Sequence, residues 1–202
     1  MKVKRFVEQD VADFNVGDII EFTMSNGEYV QAMAVKKLNV GMLFCFVNCL
    51  AEEYPMNDRD TNDGGYLSSK LRTIINSKVV SDFPDGVKRY LVKFSNGDYL
   101  RIPTEKEIFG KNKYGDVEAD DIEQWEPMKN YNNRVSLGGV EGYCKCYWCQ
   151  NNKAGRSDCF CSVASDGRAY NNLGFCAHGV RPVFVLNLKS NSTTEQEGVI
   201  YE

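Results

Sequence analysis

Residues 18–36 read Asp-Ile-Ile-Glu-Phe-Thr-Met-Ser-Asn-Gly-Glu-Tyr-Val-Gln-Ala-Met-Ala-Val-Lys. The runs 18–23 and 29–36 within this stretch are rich in β-branched and aromatic residues, which favour strands. Asn26-Gly27 lies between the two runs and supplies the positive φ angles of a two-residue hairpin turn. The stretch therefore predicts two paired antiparallel strands.

The rest of the chain repeats this pattern of short strands and tight turns. Further strands are predicted at residues 41–49, 89–94, 99–102, 158–163 and 180–186. Asn96-Gly97 predicts a second hairpin, and Ser165-Asp166-Gly167 predicts another turn. Residues 41–49 are almost wholly apolar, which is typical of a buried central strand. Pro182 is expected at a strand start or at an unpaired edge position, because it cannot donate to a ladder.

Two short helices are predicted between the strands, so the fold class is α+β with mainly antiparallel strands. The first covers residues 70–76 and begins at a cap from Ser68 or Ser69. Its apolar face is predicted to carry Leu67, Leu71, Ile74 and Ile75. Thr104 and Glu107 have the spacing of a capping box, which predicts a second helix that ends near Gly110. Residues 111–133 are polar and acidic and are expected to form a long surface excursion.

Composition excludes several classes of protein. The chain has 202 residues, 43% of them apolar, which is enough for one domain with a packed core. Its formal net charge of −4 argues against a nucleic-acid partner, which would call for a basic face. No apolar run approaches the roughly 18 residues of a membrane span, so membrane insertion is not expected. No apolar core follows Met1-Lys2-Val3-Lys4-Arg5, so no signal peptide is expected.

The chain has eight cysteines, which crowd towards its C-terminal third. They are Cys45, Cys49, Cys144, Cys146, Cys149, Cys159, Cys161 and Cys176. Without an export segment they are expected to be thiols, either buried as small apolar side chains or bound to zinc with His178. Only Cys146 and Cys149 have the Cys-x-x-Cys spacing, while Cys159 and Cys161 alternate on a predicted strand. A nucleophilic cysteine paired with His178, the only histidine, lacks an identifiable third orienting group.

Polar and aromatic residues dominate the region between Tyr147 and His178. They include Trp148, Gln150, Asn151, Asn152, Lys153, Arg156, Asp158, Arg168, Tyr170, Asn171, Asn172 and Phe175. Aromatic anchors interspersed with Asn, Ser and Arg are typical of adaptable recognition surfaces. Because predicted strands bracket this region, it is interpreted as a binding surface carried by a rigid scaffold.

Several of these motifs carry a family resemblance. Phe160-Cys-Ser-Val163, Ser165-Asp-Gly167, Asn171-Asn172 and Gly179-Val-Arg-Pro-Val-Phe184 resemble the ending of a family of uncharacterised proteins from gut Firmicutes and their phages. Upstream, Tyr66-Leu-Ser-Ser-Lys-Leu-Arg72 and the segment 103–116 resemble two further motifs of that family. The family is similar to the C-type-lectin fold of formylglycine-generating-enzyme-like proteins and of variable proteins of diversity-generating retroelements. The chain departs from it at Cys149-Gln150-Asn151, where the family has Leu-Arg-Ser.

The resemblance implies a C-type-lectin-like domain over residues 1–188, with a scaffold at 15–146, a variable cassette at 147–184 and a polar tail at 189–202. Such a cassette is rewritten at adenines, and a randomised Asn codon yields Cys, Tyr, Phe, His or Leu, among others. Residues in that set are Cys149, Cys159, Cys161, Tyr170, Leu173, Phe175, Cys176 and His178. Gln150 and Lys153 are not reachable from an Asn codon.

The function implied is non-catalytic binding of a protein or glycan ligand, without a cofactor, by a virion component or a protein of the bacterial cytoplasm. The predicted ligand-binding residues are Cys149, Asn151, Asn152, Arg156, Asp158, Cys159, Cys161, Arg168, Tyr170, Asn171, Asn172, Phe175, Cys176 and His178. The alternatives are a zinc-stabilised cysteine-rich domain and an enzyme of formylglycine-generating type, which would need a reactive thiol of low pKa.

Overall fold

The computed structural model describes residues 13–138 and 142–188. Its strands are β1 (Ile19–Thr23), β2 (Tyr29–Leu38), β3 (Gly41–Phe46), β4 (Leu91–Val92), β5 (Leu137–Gly138), β6 (Tyr143–Cys144), β7 (Tyr147–Asn152), β8 (Cys159–Val163), β9 (Ala169–Leu173) and β10 (Val183–Leu186). Its α-helices are α1 (Lys70–Ile74), α2 (Val80–Asp82), α3 (Asp85–Lys88) and α4 (Glu105–Phe109). A π-helical turn, Ile75–Val79, joins α1 to α2, and 3₁₀ turns occupy Tyr66–Ser68, Glu126–Lys129 and Tyr131–Arg134. The fold is α+β.

A five-stranded antiparallel sheet of order β1-β2-β3-β10-β4 forms one part of the molecule. The predicted first hairpin is confirmed, because β1 pairs with β2 and the Met24 N–H donates to the Glu28 carbonyl at 2.8 Å. The closing strand β10 lies inside the sheet, between β3 and β4. Pro182 immediately precedes β10, and its carbonyl accepts the Phe46 N–H at 2.9 Å. Its position at a strand start is thus as predicted.

The predicted cassette forms a separate antiparallel sheet of order β7-β8-β9, and β5 pairs with β6. Every residue of the middle strand β8 is buried. A parallel bridge between Tyr147 and Gly179 connects β7 to the segment that leads into β10. The strand at the outer edge of this sheet is β9, whose residues are all exposed or half-buried. The cassette therefore has a buried side and an accessible edge.

Two apolar clusters fill the interior, and β8 and β10 contribute alternate residues to each. Phe160 and Phe184 belong to the first cluster, in which Phe184 stacks on Phe44 with ring centroids 5.6 Å apart. Cys161 and Val183 belong to the second cluster. Because successive side chains of a strand point to opposite faces, one short strand serves both clusters. This explains why β8 and β10 have no polar face.

The predicted second hairpin is wrong, although its turn forms. The Gly97 N–H donates to the Phe94 carbonyl at 2.8 Å, but β4 pairs with β10 rather than with residues 99–102. The side-chain oxygen of Asn76 accepts the N–H groups of Tyr99 and Leu100, each at 2.9 Å. A side chain from the helical region thus takes hydrogen bonds that a hairpin partner would have made.

The predicted helix starts are confirmed, but one predicted apolar face is partly wrong. Ser69 caps α1 by accepting the Arg72 N–H, while Leu67 lies in the preceding 3₁₀ turn and is 56% exposed. Thr104 and Glu107 form the expected capping box, and Gly110 ends α4 in the left-handed conformation. None of the helices in the described parts of the chain has the length and apolar character needed to cross a membrane.

The prediction for the acidic segment 111–133 is partly wrong, and the prediction for the C-terminal tail concerns residues outside the described ranges. Residues 111–133 do not lie wholly on the surface, because Trp125 and Met128 are buried in the second cluster. The predicted polar tail, 189–202, falls outside the described residues.

Candidate ligand-binding surface

The cysteines on the cassette strands belong to the core. Cys149, Cys159 and Cys161 are buried, and the Cys161 thiol donates to the Asn152 carbonyl at 3.7 Å. Burial raises the pKa of the Cys149 and Cys161 thiols above the usual thiol value. A raised pKa keeps the thiol protonated, which is the opposite of what a reactive cysteine requires. These three predicted ligand-binding residues act as small apolar side chains, and they lack the low pKa that a formylglycine-generating-type enzyme would need.

The predicted zinc ligands are not gathered into a metal site. All eight cysteines and His178 lie in the described segments, and all eight cysteines are free thiols. Within residues 13–138 and 142–188, no three His, Cys, Asp or Glu side chains are placed to hold a metal ion. The zinc alternative is therefore not supported by the arrangement of these side chains.

Asn151 and Asn152, at the end of β7, are used to hold the scaffold together. The Asn151 side-chain oxygen accepts the Glu105 N–H at 2.7 Å, which fixes the start of α4 against β7. The Asn152 amide donates to the Asn62 carbonyl at 3.2 Å, and the Asn62 amide donates to the Arg156 and Cys159 carbonyls at 2.8 and 2.9 Å. The predicted ligand contacts of Asn151 and Asn152 would compete with these bonds.

Arg156 and Asp158 pair with each other across the loop between β7 and β8. The Arg156 Nε lies 2.8 Å from one Asp158 carboxylate oxygen, and this guanidinium lowers the pKa of Asp158 to about 2. Arg168 forms a similar exposed pair with Asp166, at 2.7 Å. Exposed pairs of this kind contribute little to stability, so opening either pair costs little free energy.

The remaining predicted residues on β9 and the turn after it are exposed or partly exposed, and we call them the β9 surface: Tyr170, Asn171, Asn172, Phe175 and Cys176. Tyr170 and Phe175 are each 50% exposed, and the other three are partly exposed. No hydrogen bond joins the amides of Asn171 and Asn172 to any described residue. This surface therefore combines accessible aromatic rings with unused donors and acceptors.

The strand register and a close glycine contact explain how these side chains are presented. Tyr170 pairs with Ser162 and Asn172 pairs with Phe160, so Tyr170 and Asn172 share one face of the sheet. After β9, the Cys176 N–H donates to the Leu173 carbonyl at 3.0 Å and closes a turn. A Cβ on Gly174 would lie 3.0 Å from the Thr61 carbonyl oxygen, so only glycine fits there without displacement. The turn carries Phe175 outwards.

The His178 side chain packs on the core. Its ring makes a T-shaped contact with Trp148, at 4.6 Å between centroids, and its backbone pairs with Tyr54. The Nε2 atom is buried and makes no hydrogen bond within the described residues. Burial lowers the pKa of His178 below 6.5, with Glu53 acting weakly in the opposite direction. His178 therefore packs in the structure, and its side chain is partly exposed.

The histidine gives a testable dependence of stability on pH. Because its pKa is lower in the folded protein, the unfolded chain binds a proton that the folded chain does not, at pH values just below 6.5. We expect the free energy of unfolding to fall as the pH is lowered from about 7.5 to about 5.5. Urea titrations across this range should give a shallower slope for His178→Asn, since no other histidine is present. Equal slopes would contradict the lowered pKa.

A groove elsewhere on the molecule was not anticipated from the sequence. It has a volume of about 860 Å³ and lies between residues 36–43, the segment 94–104 and residues 119–123. Its wall includes the buried ion pair of Arg101 and Glu107. A terminal guanidinium nitrogen of Arg101 lies 2.5 Å from a carboxylate oxygen of Glu107. Gln150 is its only lining residue from the predicted cassette. Arg101 and Glu107 are six residues apart in the sequence, but that spacing alone does not predict an ion pair.

Comparison of the chain with protein-family models, with curated proteins and with solved structures found no match. The α+β class follows from the structure itself. The C-type-lectin-like assignment and the resemblance to retroelement variable proteins stay predictions.

Proposed function

We propose that this protein is a non-catalytic binding domain that recognises a protein or glycan ligand through the β9 surface. One observation carries the proposal: the amides of Asn171 and Asn172, on opposite faces of β9, make no hydrogen bond within the described residues, and the half-exposed rings of Tyr170 and Phe175 come before and after them along the chain.

The chemistry of these side chains suits recognition. Tyr and Phe offer large contact areas and lose little conformational entropy when they are ordered, because each has only two side-chain torsions. Each Asn amide supplies both donors and acceptors, so it can satisfy the hydroxyl groups of a glycan or the peptide groups of a protein. The surface also lies on an edge strand, where a ligand can reach side chains on both faces of the sheet. Nothing in this arrangement requires a catalytic group.

We further propose that retroelement diversification acts on the cassette, residues 147–184, and that the diversified codons lie within the exposed part at residues 170–176. Tyr170, Phe175 and Cys176 belong to the set that a randomised Asn codon yields, and Asn171 and Asn172 lie between Tyr170 and Phe175 in the sequence. Cys149 and Cys161 belong to the same set but are fully buried, where changes of volume are destabilising. Sequencing this gene across one population tests the idea. Variation restricted to exposed codons with a nearby adenine-bearing template copy supports it, and an invariant cassette overturns it.

The binding role predicts that Tyr170 and Cys161 respond in opposite ways to substitution by serine. Tyr170→Ser should change the free energy of unfolding by less than about 0.5 kcal/mol, since the residue is half exposed on an edge strand and its side chain makes no hydrogen bond within the described residues. Cys161→Ser places a hydroxyl in the second cluster and should cost about 1–3 kcal/mol. Urea unfolding measures both changes.

Binding is measured with the same two variants. A glycan array and a phage-displayed library of random decapeptides are the probes, and Tyr170→Ser should weaken whatever the wild type selects. Cys161→Ser should retain binding under conditions in which it is folded. Tyr170→Ser that unfolds the protein, or that leaves every selected ligand bound as before, would contradict the proposal.

A further inference from the structure

The backbone of β9 has an unused edge. In an antiparallel pair, alternate residues exchange both hydrogen bonds with the partner strand, and the residues between them point their backbone groups away. The Ala164 N–H donates to the Arg168 carbonyl and the Gly174 N–H donates to the Asp158 carbonyl, each at 2.8 Å. The register of β8 and β9 is regular, so these two bonds show that the even-numbered residues of β9 direct their backbone N–H and C=O groups towards β8. Ala169, Asn171 and Leu173 therefore direct their N–H and C=O groups outwards.

Most of these outward groups have no partner. Of the six, the Leu173 carbonyl accepts the Cys176 N–H, but no other hydrogen bond reaches the backbone of Ala169, Asn171 or Leu173 from the described residues. The opposite edge of the same sheet differs. There the β7 residues Trp148 and Gln150 donate to the carbonyls of Gly179 and Pro103 at 3.2 and 3.0 Å.

Sheet edges are commonly protected by charge, proline or a bulge, and β9 has none of these. Its residues 169–173 are uncharged, contain no proline and pair with β8 without a register shift. The outer strand of the large sheet, β1, is protected in this way, because Glu21 lies at its centre. The contrast distinguishes β9 from β1 and from the β7 edge as a strand that is open to pairing with another strand.

We propose that β9 accepts an extended segment of a protein partner as an added strand. This inference rests on the proposed function and narrows its ligand to a polypeptide. The outward N–H and C=O groups of Ala169 and Asn171 match the alternating donors and acceptors of an extended polypeptide backbone. Tyr170 and Phe175 flank this edge and would pack against side chains of the added strand.

Peptides selected from the random decapeptide library are the probe. Each selected peptide is synthesised unmodified and in two forms, which are methylated at alternate backbone nitrogens. Strand addition predicts that one methylated form loses at least tenfold in affinity for the wild-type protein and that the other does not, because only alternate N–H groups of an added strand face β9. This measurement needs no variant of the protein.

Three variants test the same edge from the side of the protein. Asn171→Pro removes an outward N–H and leaves the ladder to β8 intact, so it should fold and lose at least tenfold in peptide affinity. Asn171→Ala keeps the backbone and should bind within about threefold of the wild type, because the peptide hydrogen-bonds the main chain. Glu21→Pro makes the matched change on β1 and should leave affinity unchanged.

The outcomes separate this inference from the proposed function. If both methylated forms bind equally well, strand addition is overturned, while side-chain recognition stands. If only glycans bind, and Tyr170→Ser abolishes that binding, the polypeptide ligand is overturned and the binding role stands. If the protein dimerises in sedimentation runs and Asn171→Pro abolishes the dimer, a second copy occupies the edge and the partner proposal fails. If neither probe binds, both proposals fail.

Discussion

Arg181→Met is expected to lower the free energy of unfolding by about 3 kcal/mol or more, because it leaves several buried acceptors without a donor. Arg181 is only 2% exposed. Its Nε donates to the Phe46 carbonyl at 2.8 Å, and one terminal nitrogen donates to the Asn133 carbonyl and the Tyr147 hydroxyl at 3.1 and 3.0 Å. The guanidinium also lies 4.9 Å from the centre of the Tyr147 ring.

This residue joins three parts of the chain without a carboxylate partner. No ion pair in the described segments includes Arg181, so neutral oxygens and one aromatic ring compensate its buried charge. Arg181→Lys keeps the charge but lacks the planar fork that reaches separate acceptors, so it should also be destabilising.

Urea unfolding of Arg181→Met is best compared with that of Arg168→Met. Arg168 is also an arginine of the C-terminal region, but its side chain is 76% exposed and pairs with Asp166 on the surface. Its replacement should change the free energy of unfolding by less than about 0.5 kcal/mol. Similar losses in the two variants would show that the buried guanidinium has no special role.

Local sequence rules predicted the elements whose hydrogen bonds are local. The hairpin of β1 and β2 depends on Asn26-Gly27, and the start of α4 depends on Thr104 and Glu107, three residues apart. The second hairpin failed because Asn76, more than twenty residues away, takes the hydrogen bonds of its second arm. Patterns within a short window contain no information about such a competitor.

The two Asn pairs of the candidate site show the same limit of prediction from short stretches of sequence. Asn151-Asn152 and Asn171-Asn172 look alike in the sequence, and both pairs were predicted to bind ligand. The side chains of the first pair bond to Glu105 and Asn62, which are 46 and 90 residues away. The side chains of the second pair make no hydrogen bond within the described residues. The alternation of Cys159 and Cys161 was likewise visible, but burial on both faces of β8 required knowledge of the two clusters.

Glu105→Ala is expected to lower the free energy of unfolding by about 3 kcal/mol, because it removes a buried carboxylate that binds a loop through backbone groups. Glu105 is fully buried in the first turn of α4. Its carboxylate accepts the N–H groups of Lys113, Tyr114 and Gly115 at 2.7, 2.9 and 2.9 Å. Without it, those three N–H groups lose a charged acceptor, and hydrogen bonds to a carboxylate are stronger than those between neutral groups.

The loop held by Glu105 also contacts the cassette, so the effect should spread in a defined direction. The Ala154 N–H donates to the Tyr114 carbonyl at 2.8 Å, and Gly115 forms a bridge with Lys153. Hydrogen exchange in Glu105→Ala should therefore speed up at residues 113–115 and at Ala154, while β9 keeps the protection of the wild type. Glu126→Ala is the matched control, because Glu126 is largely exposed and pairs only with Lys129. If exchange rises equally across β9, Glu105 supports the whole cassette rather than the end of β7, and the β9 surface is not independent of the loop.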